Sequence, residues 1–185
     1  MEAVAWTAAN SATGTITPPL LYYHDFPLHA TGTLPPKLVT LPEILAFAEQ
    51  FDPQPMHLDP TAAAASLLGG IAASGWHTCA MLMRMICDGF MLETASQGGP
   101  GVKEVRWLKP VLPGDTLLAT WTVTEARVSA SDPGRGILTL FYDVTRQADG
   151  ESVMTGEYVH FVGVGEDGTR DSGLGTRKGS GADGG

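Results

Sequence analysis

The segment from Ser74 to Leu92 reads SGWHTCAMLMRMICDGFML, and Trp76–Leu92 within it is the longest apolar stretch of the chain. Only His77, Arg84 and Asp88 interrupt it among large polar residues, and at helical spacing these three form one narrow stripe. A helix that is apolar around the rest of its circumference must be wrapped by other elements rather than laid on a surface. The interruptions are too many for a membrane span, which needs about 20 apolar residues. We therefore expect a buried central helix.

A period of two replaces the helical pattern after the glycines at positions 98–101. The alternating segments are Val102–Lys109, Thr116–Val128, Gly136–Arg146 and Ser152–Val162, and Pro-Gly-Asp, Asp-Pro-Gly and Asp-Gly turn signals separate them. Helices followed by strands that are joined as hairpins indicate an α+β fold. In this fold a single antiparallel sheet curves around the long central helix.

Two shorter helices are expected before the central one. Thr40 and Glu43 have the spacing of a capping box, and the apolar residues after them repeat at helical spacing as far as Phe51. The prolines at 53 and 55 then predict a stiff loop, because each removes a backbone donor and disfavours helix at the preceding residue. Asp59, followed by a proline, is typical of a helix start, and this second helix is expected to end near Leu68.

The length of 185 residues is that of one domain. We place the folded domain at residues 19–163 and expect it to begin with an extended piece, Leu20–Phe26. Residues 1–18 have little to bury apart from Trp6 and are predicted to be a flexible N-terminal arm. Residues 164–185 are rich in Gly, Ser and mixed charge, which predicts a disordered tail.

Charge and cysteine content exclude several classes of function. The formal net charge is -9, from 11 basic and 20 acidic residues, so the chain repels phosphate backbones and nucleic acid is not an expected partner. Cys79 and Cys87 would lie about 12 Å apart in a helix, beyond disulfide reach, which indicates free thiols in a reducing compartment. The N-terminus lacks the basic start and apolar block of a secretory signal. We predict a cytoplasmic protein that makes no membrane contact.

The densest cluster of reactive side chains lies in the segment DPQPMH, residues 52–57. A carboxylate and an imidazole held in a proline-braced loop make Asp52 and His57 a candidate acid/base pair. The charge of Asp52 faces the negative end of a helix, which costs stability and invites a functional reason. On spacing alone the commoner alternative is structural: Asp52 ends the helix and His57 is a buried, hydrogen-bonded histidine.

Gly75 at the start of the central helix is the second candidate feature. Unpaired backbone N–H groups and the positive end of the helix dipole meet there, and the missing side chain would let a ligand approach. An acyl oxygen that gains negative charge could be received at this point. The alternative is a glycine required for close packing of the helix against the sheet.

Taken together, these residues resemble the MaoC-like family of (R)-specific enoyl-CoA hydratases and acyl dehydratases. The family signature of an Asp, an Asn-Pro pair two residues on and a His five residues after the Asp is read here as Asp52, Gln54-Pro55 and His57. The segment Ala73–Trp76 matches the turn into the family's central helix. The similarity runs in order through Leu108–Asp115 and covers about residues 22–162.

The resemblance implies a single hot-dog domain and a hydro-lyase. Asp52 and His57 would hold a water and add OH to Cβ and H to Cα of a trans-2-enoyl thioester, or run the reverse dehydration. The Gly75 N–H would donate to the thioester oxygen, and Gln54, Ser74 and Trp76 are candidate substrate-binding residues. The implied substrate is a coenzyme A or acyl carrier protein thioester, with no metal or redox cofactor. The implied assembly is a homodimer or higher homo-oligomer, whose sheets pair edge to edge with the acyl chain between subunits.

Two other functions stay open at this point. A hot-dog thioesterase would need a carboxylate on the central helix, where the sequence offers only Asp88, well past the first turns. A non-catalytic module that binds acyl thioesters is left open by two departures from the family. Gln54 replaces the usual Asn, and Ser74 stands where the family often has His.

Overall fold

The computed structural model describes residues 21–165, which form one antiparallel sheet packed around a long helix. The strands are β1 (Thr31–Leu38), β2 (Gly101–Trp107), β3 (Thr116–Val128), β4 (Arg135–Arg146) and β5 (Ser152–Gly163). Their order across the sheet is β1-β3-β4-β5-β2, and every neighbouring pair is antiparallel. The predicted α+β architecture is confirmed.

The helices are α1 (Leu41–Phe51), α2 (Pro55–Leu58), α3 (Pro60–Ala65) and α4 (Gly75–Gly89). The capping box of α1 is present, because Thr40 Oγ accepts from the Glu43 N–H and the Glu43 carboxylate accepts from the Thr40 N–H. Asp59 caps α3 by accepting from the Ala62 N–H at 2.7 Å. Local capping chemistry therefore positions these helices as the sequence predicted.

The core lies between α4 and the concave face of the sheet. One face of α4 contributes Met81, Leu82, Met85 and Ile86, which are at most 3% exposed. The sheet contributes alternate residues of its central strands, and in β3 these are Leu117, Ala119, Trp121 and Val123, as the period-two pattern predicts. Burial of these apolar side chains is the main stabilising contribution to the packing of helix on sheet.

Residues 21–165 do not wrap the central helix on all sides, so for the described part of the chain this prediction is wrong. Trp76, Ala80 and Met83 form an exposed apolar strip along α4, and Trp76 is 62% exposed. A single five-stranded sheet covers only one side of a helix, so the opposite side is left uncovered. The predicted polar stripe is also divided, because Arg84 and Asp88 are exposed and paired at 2.8 Å while His77 is buried and stacks on Phe47.

Sequence reasoning missed strand β1 because it contains Gly32, Pro35 and Pro36, which break the alternation. The strand lies at an edge of the sheet, where proline is tolerated, and its register shifts between Leu34 and Lys37. Gly32 is required there, since a Cβ would fall 2.7 Å from the Trp121 indole.

Several predicted boundaries are corrected. Tyr23–Asp25 is a 3-10 turn rather than an extended piece, because the Asp25 carboxylate accepts from the Tyr22 N–H. Helix α3 ends at Ala65, since the Ser66 hydroxyl donates to the Ala63 carbonyl and accepts from the Leu68 N–H. Part of the predicted stiff loop is the single helical turn α2, and α4 gives way to a 3-10 turn, Met91–Glu93.

The predicted flexible arm at residues 1–18 lies outside the described residues. So does the predicted disordered tail at residues 164–185, apart from Val164 and Gly165. Within residues 21–165, no helix is both long enough and apolar enough to cross a membrane. Cys79 and Cys87 are both on α4 and are free thiols, as predicted.

Candidate active site

Asp52 sits at the C-terminal end of α1, where its own N–H closes the helix by bonding to the Ala48 carbonyl at 3.0 Å. The proline at 53 prevents the helix from continuing, so the chain turns and the Asp52 carboxylate is carried toward the start of α4. The residue does end the helix, as the structural alternative predicted. It also has a second set of contacts, through its side chain.

His57 lies on α2 and is 4% exposed. Its Nδ1 is 3.0 Å from the Ala72 carbonyl oxygen. Because a carbonyl only accepts, the neutral ring carries its proton on Nδ1 and leaves a lone pair on Nε2. That Nε2 is 3.6 Å from Asp52 Oδ2, too long for a direct hydrogen bond. Two acceptors at this separation can share one water that donates a proton to each.

Both oxygens of the Asp52 carboxylate are held by hydrogen bonds. The Ser74 hydroxyl donates to Oδ2 at 2.5 Å, and the Gln54 amide donates to Oδ1 at 2.7 Å. The hydrogen bond from Ser74, and after it the one from Gln54, holds the pKa of Asp52 below its ordinary value. The carboxylate is therefore ionised at neutral pH, in position to accept a proton.

Ser74 connects this carboxylate to the central helix. It is the N-cap of α4, is 1% exposed, and its oxygen accepts from the Trp76 N–H at 3.3 Å. The Gly75 N–H has no hydrogen-bond partner among residues 21–165. It stands at the positive end of the α4 dipole, where a developing negative charge is stabilised.

The reason for glycine at position 75 differs from the one predicted. A Cβ at Gly75 would fall 2.5 Å from the Trp107 indole, so the missing side chain makes room for Trp107 rather than for a ligand. This outcome is the close-packing alternative. The Trp107 indole packs against the start of α4, and the Gly75 N–H has no partner among residues 21–165.

These groups line one cleft of about 350 Å³. Its polar lining includes Asp52, Gln54, His57, Ser74 and Gly75, and its apolar lining includes Met56, Leu68, Ala73, Trp76, Trp107, Val111 and Val153. Trp76 and Trp107 meet edge to face with ring centroids 5.4 Å apart and form one wall. The structure thus brings every site residue singled out from the sequence into a single volume.

Two groups of this site were not predicted from the sequence. The Ala72 carbonyl sets the tautomer of His57, and Trp107 covers the start of α4. A backbone carbonyl carries no sequence signal, and Trp107 comes from an edge strand far along the chain. Within residues 21–165, no group of three or more His, Cys, Asp or Glu could hold a metal ion.

Comparisons with known proteins identify the family. A family model described as the MaoC like domain matches residues 29–137, more than half of the chain. A Bacillus subtilis (strain 168) protein described as uncharacterized, YdeM, is 31% identical over 112 residues, which cover 60% of this chain and 77% of YdeM.

Solved structures give the same result. A MaoC-like dehydratase from Rhodospirillum rubrum is 39% identical with a TM-score of 0.70, over 77% of this chain and 97% of that one. An (R)-hydratase from A. caviae involved in PHA biosynthesis is 25% identical with a TM-score of 0.58, over 73% and 96%. At 18% identity, a Mycobacterium tuberculosis protein with a double hotdog fold shows the fold alone, with a TM-score of 0.68 over 79% and 45%. The chain therefore belongs to the MaoC-like family and has the hot-dog fold.

Proposed function

We propose that this protein is a hydro-lyase of the (R)-specific enoyl-CoA hydratase or 3-hydroxyacyl thioester dehydratase type. One observation carries the proposal. Asp52 Oδ2 and His57 Nε2 lie 3.6 Å apart in a cleft that also holds the Gly75 N–H, which has no partner among residues 21–165. The sequence similarity to the R. rubrum dehydratase and the A. caviae (R)-hydratase supports the same reaction class.

The reaction follows from the two acceptors. A water that donates to Asp52 Oδ2 and His57 Nε2 keeps an oxygen lone pair free for Cβ of a trans-2-enoyl thioester. When the C–O bond forms, the hydroxyl stays on Cβ and one proton passes to the pair. The pair returns one proton to Cα, so both side chains end in the protonation state in which they began. Dehydration is the same path in reverse.

The thioester oxygen gains negative charge while Cα awaits its proton. In the proposed complex this oxygen accepts from the Gly75 N–H, and the α4 dipole stabilises the charge. Trp76 and Trp107 form the apolar wall at this end of the cleft. No metal or redox cofactor takes part in the proposed chemistry.

The proposed substrate is a coenzyme A or acyl carrier protein thioester, bound by a homodimer or larger homo-oligomer. Strand β2 is an edge strand with nearly every residue exposed, and its backbone offers unpaired groups. The exposed apolar strip of α4 lies next to this edge strand. Val102 of β2, which is 52% exposed, lines the same cavity as the strip. A second copy that extends the sheet across β2 would cover both. The cytoplasmic location stays a prediction from the sequence.

The thioesterase alternative is less well supported by the geometry. Asp88, the carboxylate it would need, is thirteen residues beyond Gly75, about 20 Å along the helix at ~1.5 Å per residue. It pairs there with Arg84. The non-catalytic alternative relied on Gln54 and Ser74 as departures, but both side chains hold the Asp52 carboxylate.

Incubation of the purified protein with crotonyl-CoA tests all three functions. We expect the enoyl absorbance to fall with no release of free thiol, and we expect the fall to be lost in Asp52→Asn. Release of coenzyme A thiol from the substrate would instead identify a thioesterase. Binding of crotonyl-CoA and longer enoyl-CoA thioesters without any turnover would identify a binding module.

A further inference from the structure

A second cavity of about 440 Å³ lies on the other side of Trp76 from the catalytic cleft. We call it the distal groove. It runs between α4 and strands β2 and β5, and its lining includes Trp76, Cys79, Met83, Val105, Tyr158 and His160. Its walls are mostly apolar, yet Tyr158 and His160 place polar atoms among them.

His160 is 7% exposed and is held by Tyr142. The Tyr142 hydroxyl lies 3.0 Å from His160 Nε2, and this is the hydroxyl's one hydrogen-bond partner among residues 21–165. Because Tyr142 is fully buried, its proton is best placed on this bond, which makes Nε2 the acceptor. Burial lowers the pKa of His160 to about 4, so the ring is neutral at pH 7. The neutral ring then carries its proton on Nδ1.

The His160 Nδ1–H has no partner among the described residues. No hydrogen bond from this nitrogen to any group of residues 21–165 is present, and the ring lines the distal groove. Nδ1 is not one of the buried unpaired side-chain atoms of residues 21–165, so it can donate to water in the groove. An apolar chain that displaces this water leaves the donor unpaired, at a cost in free energy, whereas a chain that carries an acceptor oxygen does not.

Tyr158 adds a second donor at the same wall. Its ring lies over Gly156, where a Cβ would fall 2.8 Å from the ring, and the residue is 5% exposed. Its hydroxyl has the Cys79 thiol as a neighbour, which is only a weak hydrogen-bonding group. Burial raises the pKa of Tyr158, so the hydroxyl keeps its proton.

The chemistry of these donors selects an uncharged acceptor. No cationic side chain lines the distal groove in the described residues, and the imidazole is neutral. Moving a carboxylate from water into this wall would leave its charge without a counter-ion. A hydroxyl or carbonyl oxygen accepts from Nδ1–H or from the phenol without that cost.

The distal groove adjoins the cleft at Trp76 on α4. Trp76 lines both cavities, and Cys79 is one helical turn beyond Gly75, about 6 Å at ~1.5 Å per residue. A chain whose thioester oxygen sits at Gly75 therefore passes Trp76 and enters the distal groove when it is of medium length.

We propose that the distal groove binds the far part of the acyl chain and that His160 and Tyr158 donate to an uncharged oxygen on it. The substrate class is then an enoyl or 3-hydroxyacyl thioester with a hydroxyl or keto group several carbons from the thioester. This inference rests on the proposed function, because it assumes that the thioester is bound at Gly75.

Calorimetric titration with two saturated thioesters tests the groove without requiring turnover. The probes are octanoyl-CoA and 7-oxooctanoyl-CoA, which differ in one carbonyl oxygen. We expect the oxo compound to bind the wild-type protein about tenfold more tightly. Tyr158→Phe, which keeps the ring, should reduce the ratio several-fold, whereas Tyr23→Phe, at a remote turn, should leave it unchanged.

A second variant removes the other donor without leaving an unpaired hydroxyl. In Tyr142→Phe/His160→Phe both members of the buried pair become apolar, and the preference for the oxo compound should fall again. Equal binding of the two probes by the wild type would overturn the proposal, and it is also the result expected if a partner subunit fills the groove. A preference that both variants leave unchanged would overturn it as well.

Turnover separates this inference from the proposed function. If trans-2-octenoyl-CoA and its 7-oxo analogue are both hydrated with equal kcat/KM, the hydro-lyase stands and the distal specificity fails. If neither is hydrated while 7-oxooctanoyl-CoA still binds preferentially, the oxygen site stands and the hydro-lyase fails. We expect hydration of both, with the oxo compound favoured about tenfold in kcat/KM.

Discussion

The cleft that is proposed to be catalytic and the distal groove meet at Trp76, along one helix, but their polar groups are in different states. In the cleft the Asp52 carboxylate is ionised and both of its oxygens are bonded. In the groove His160 is neutral and keeps a nitrogen unpaired. A fixed charge therefore stands where the proposed reaction activates a water. Neutral donors suit a site that is proposed only to hold a chain.

The largest effects are expected in the cleft. Asp52→Asn and His57→Gln should each reduce kcat for hydration by about 10²- to 10⁴-fold, because each removes one acceptor for the shared water. The double variant should cost little more than either single variant, since the two residues act on one water. Steady-state rates with crotonyl-CoA measure this. Two independent, additive losses would contradict a shared water.

A pH-dependent stability effect is expected from the groove. Burial lowers the pKa of His160 to about 4 in the folded protein, against about 6.5 when unfolded. The neutral ring's contribution is therefore complete above pH ~6.5 and is lost as the pH falls toward 4. The loss over that range is about 3 kcal/mol at ~1.4 kcal/mol per pKa unit.

Urea unfolding at pH 7 and pH 5 measures this dependence. Tyr142→Phe/His160→Phe should lose much less stability between the two pH values than the wild type. His24→Gln, at an exposed histidine, should behave as the wild type does. An unchanged pH dependence in the double variant would show that His160 is not held neutral by burial.

At the start of α4, protein stability is expected to depend on the volume of the side chain at position 75. In Gly75→Ala the new methyl group would fall 2.5 Å from the Trp107 indole, so the aromatic wall must shift. We expect a loss of about 1–3 kcal/mol in the free energy of unfolding and a lower kcat. Gly70→Ala is the matched control, because nothing lies within 4 Å of its Cβ. Equal stability of the two variants would contradict the close packing.

The smallest expected effect on the rate is that of Ser74→Ala, which tests how the Asp52 carboxylate is kept ionised. Ser74→Ala removes the hydrogen bond that contributes most to lowering the pKa of Asp52, so that pKa should rise. In the proposed reaction, activity requires the ionised carboxylate and should be lost as the pH falls through its pKa. The acid limb of the kcat/KM profile should therefore move to higher pH, with a rate loss of only a few-fold at neutral pH. A profile lowered equally at every pH would assign Ser74 a purely structural role.

The cleft was largely predictable from the sequence because its parts are local. Asp52 and His57 are five residues apart, and the caps of α1, α3 and α4 are read from single residues. The distal groove was not predictable, since Tyr142 and His160 come from different strands and meet only through the register of β4 and β5. The exposed strip on α4 was also missed, because periodicity does not show how many layers cover a helix.

Chiral analysis of the product of crotonyl-CoA hydration is the sharpest test of a single water shared by Asp52 and His57. One water held between Asp52 and His57, beside an oxyanion site at Gly75, must reach a single face of the double bond. Attack on one face gives one enantiomer, and the proposed reaction type makes it (R)-3-hydroxybutyryl-CoA. We expect this product from the wild-type protein and about 10²- to 10⁴-fold slower formation by Asp52→Asn. A racemic product, or the same (R) product formed at an undiminished rate by Asp52→Asn, would contradict the shared water.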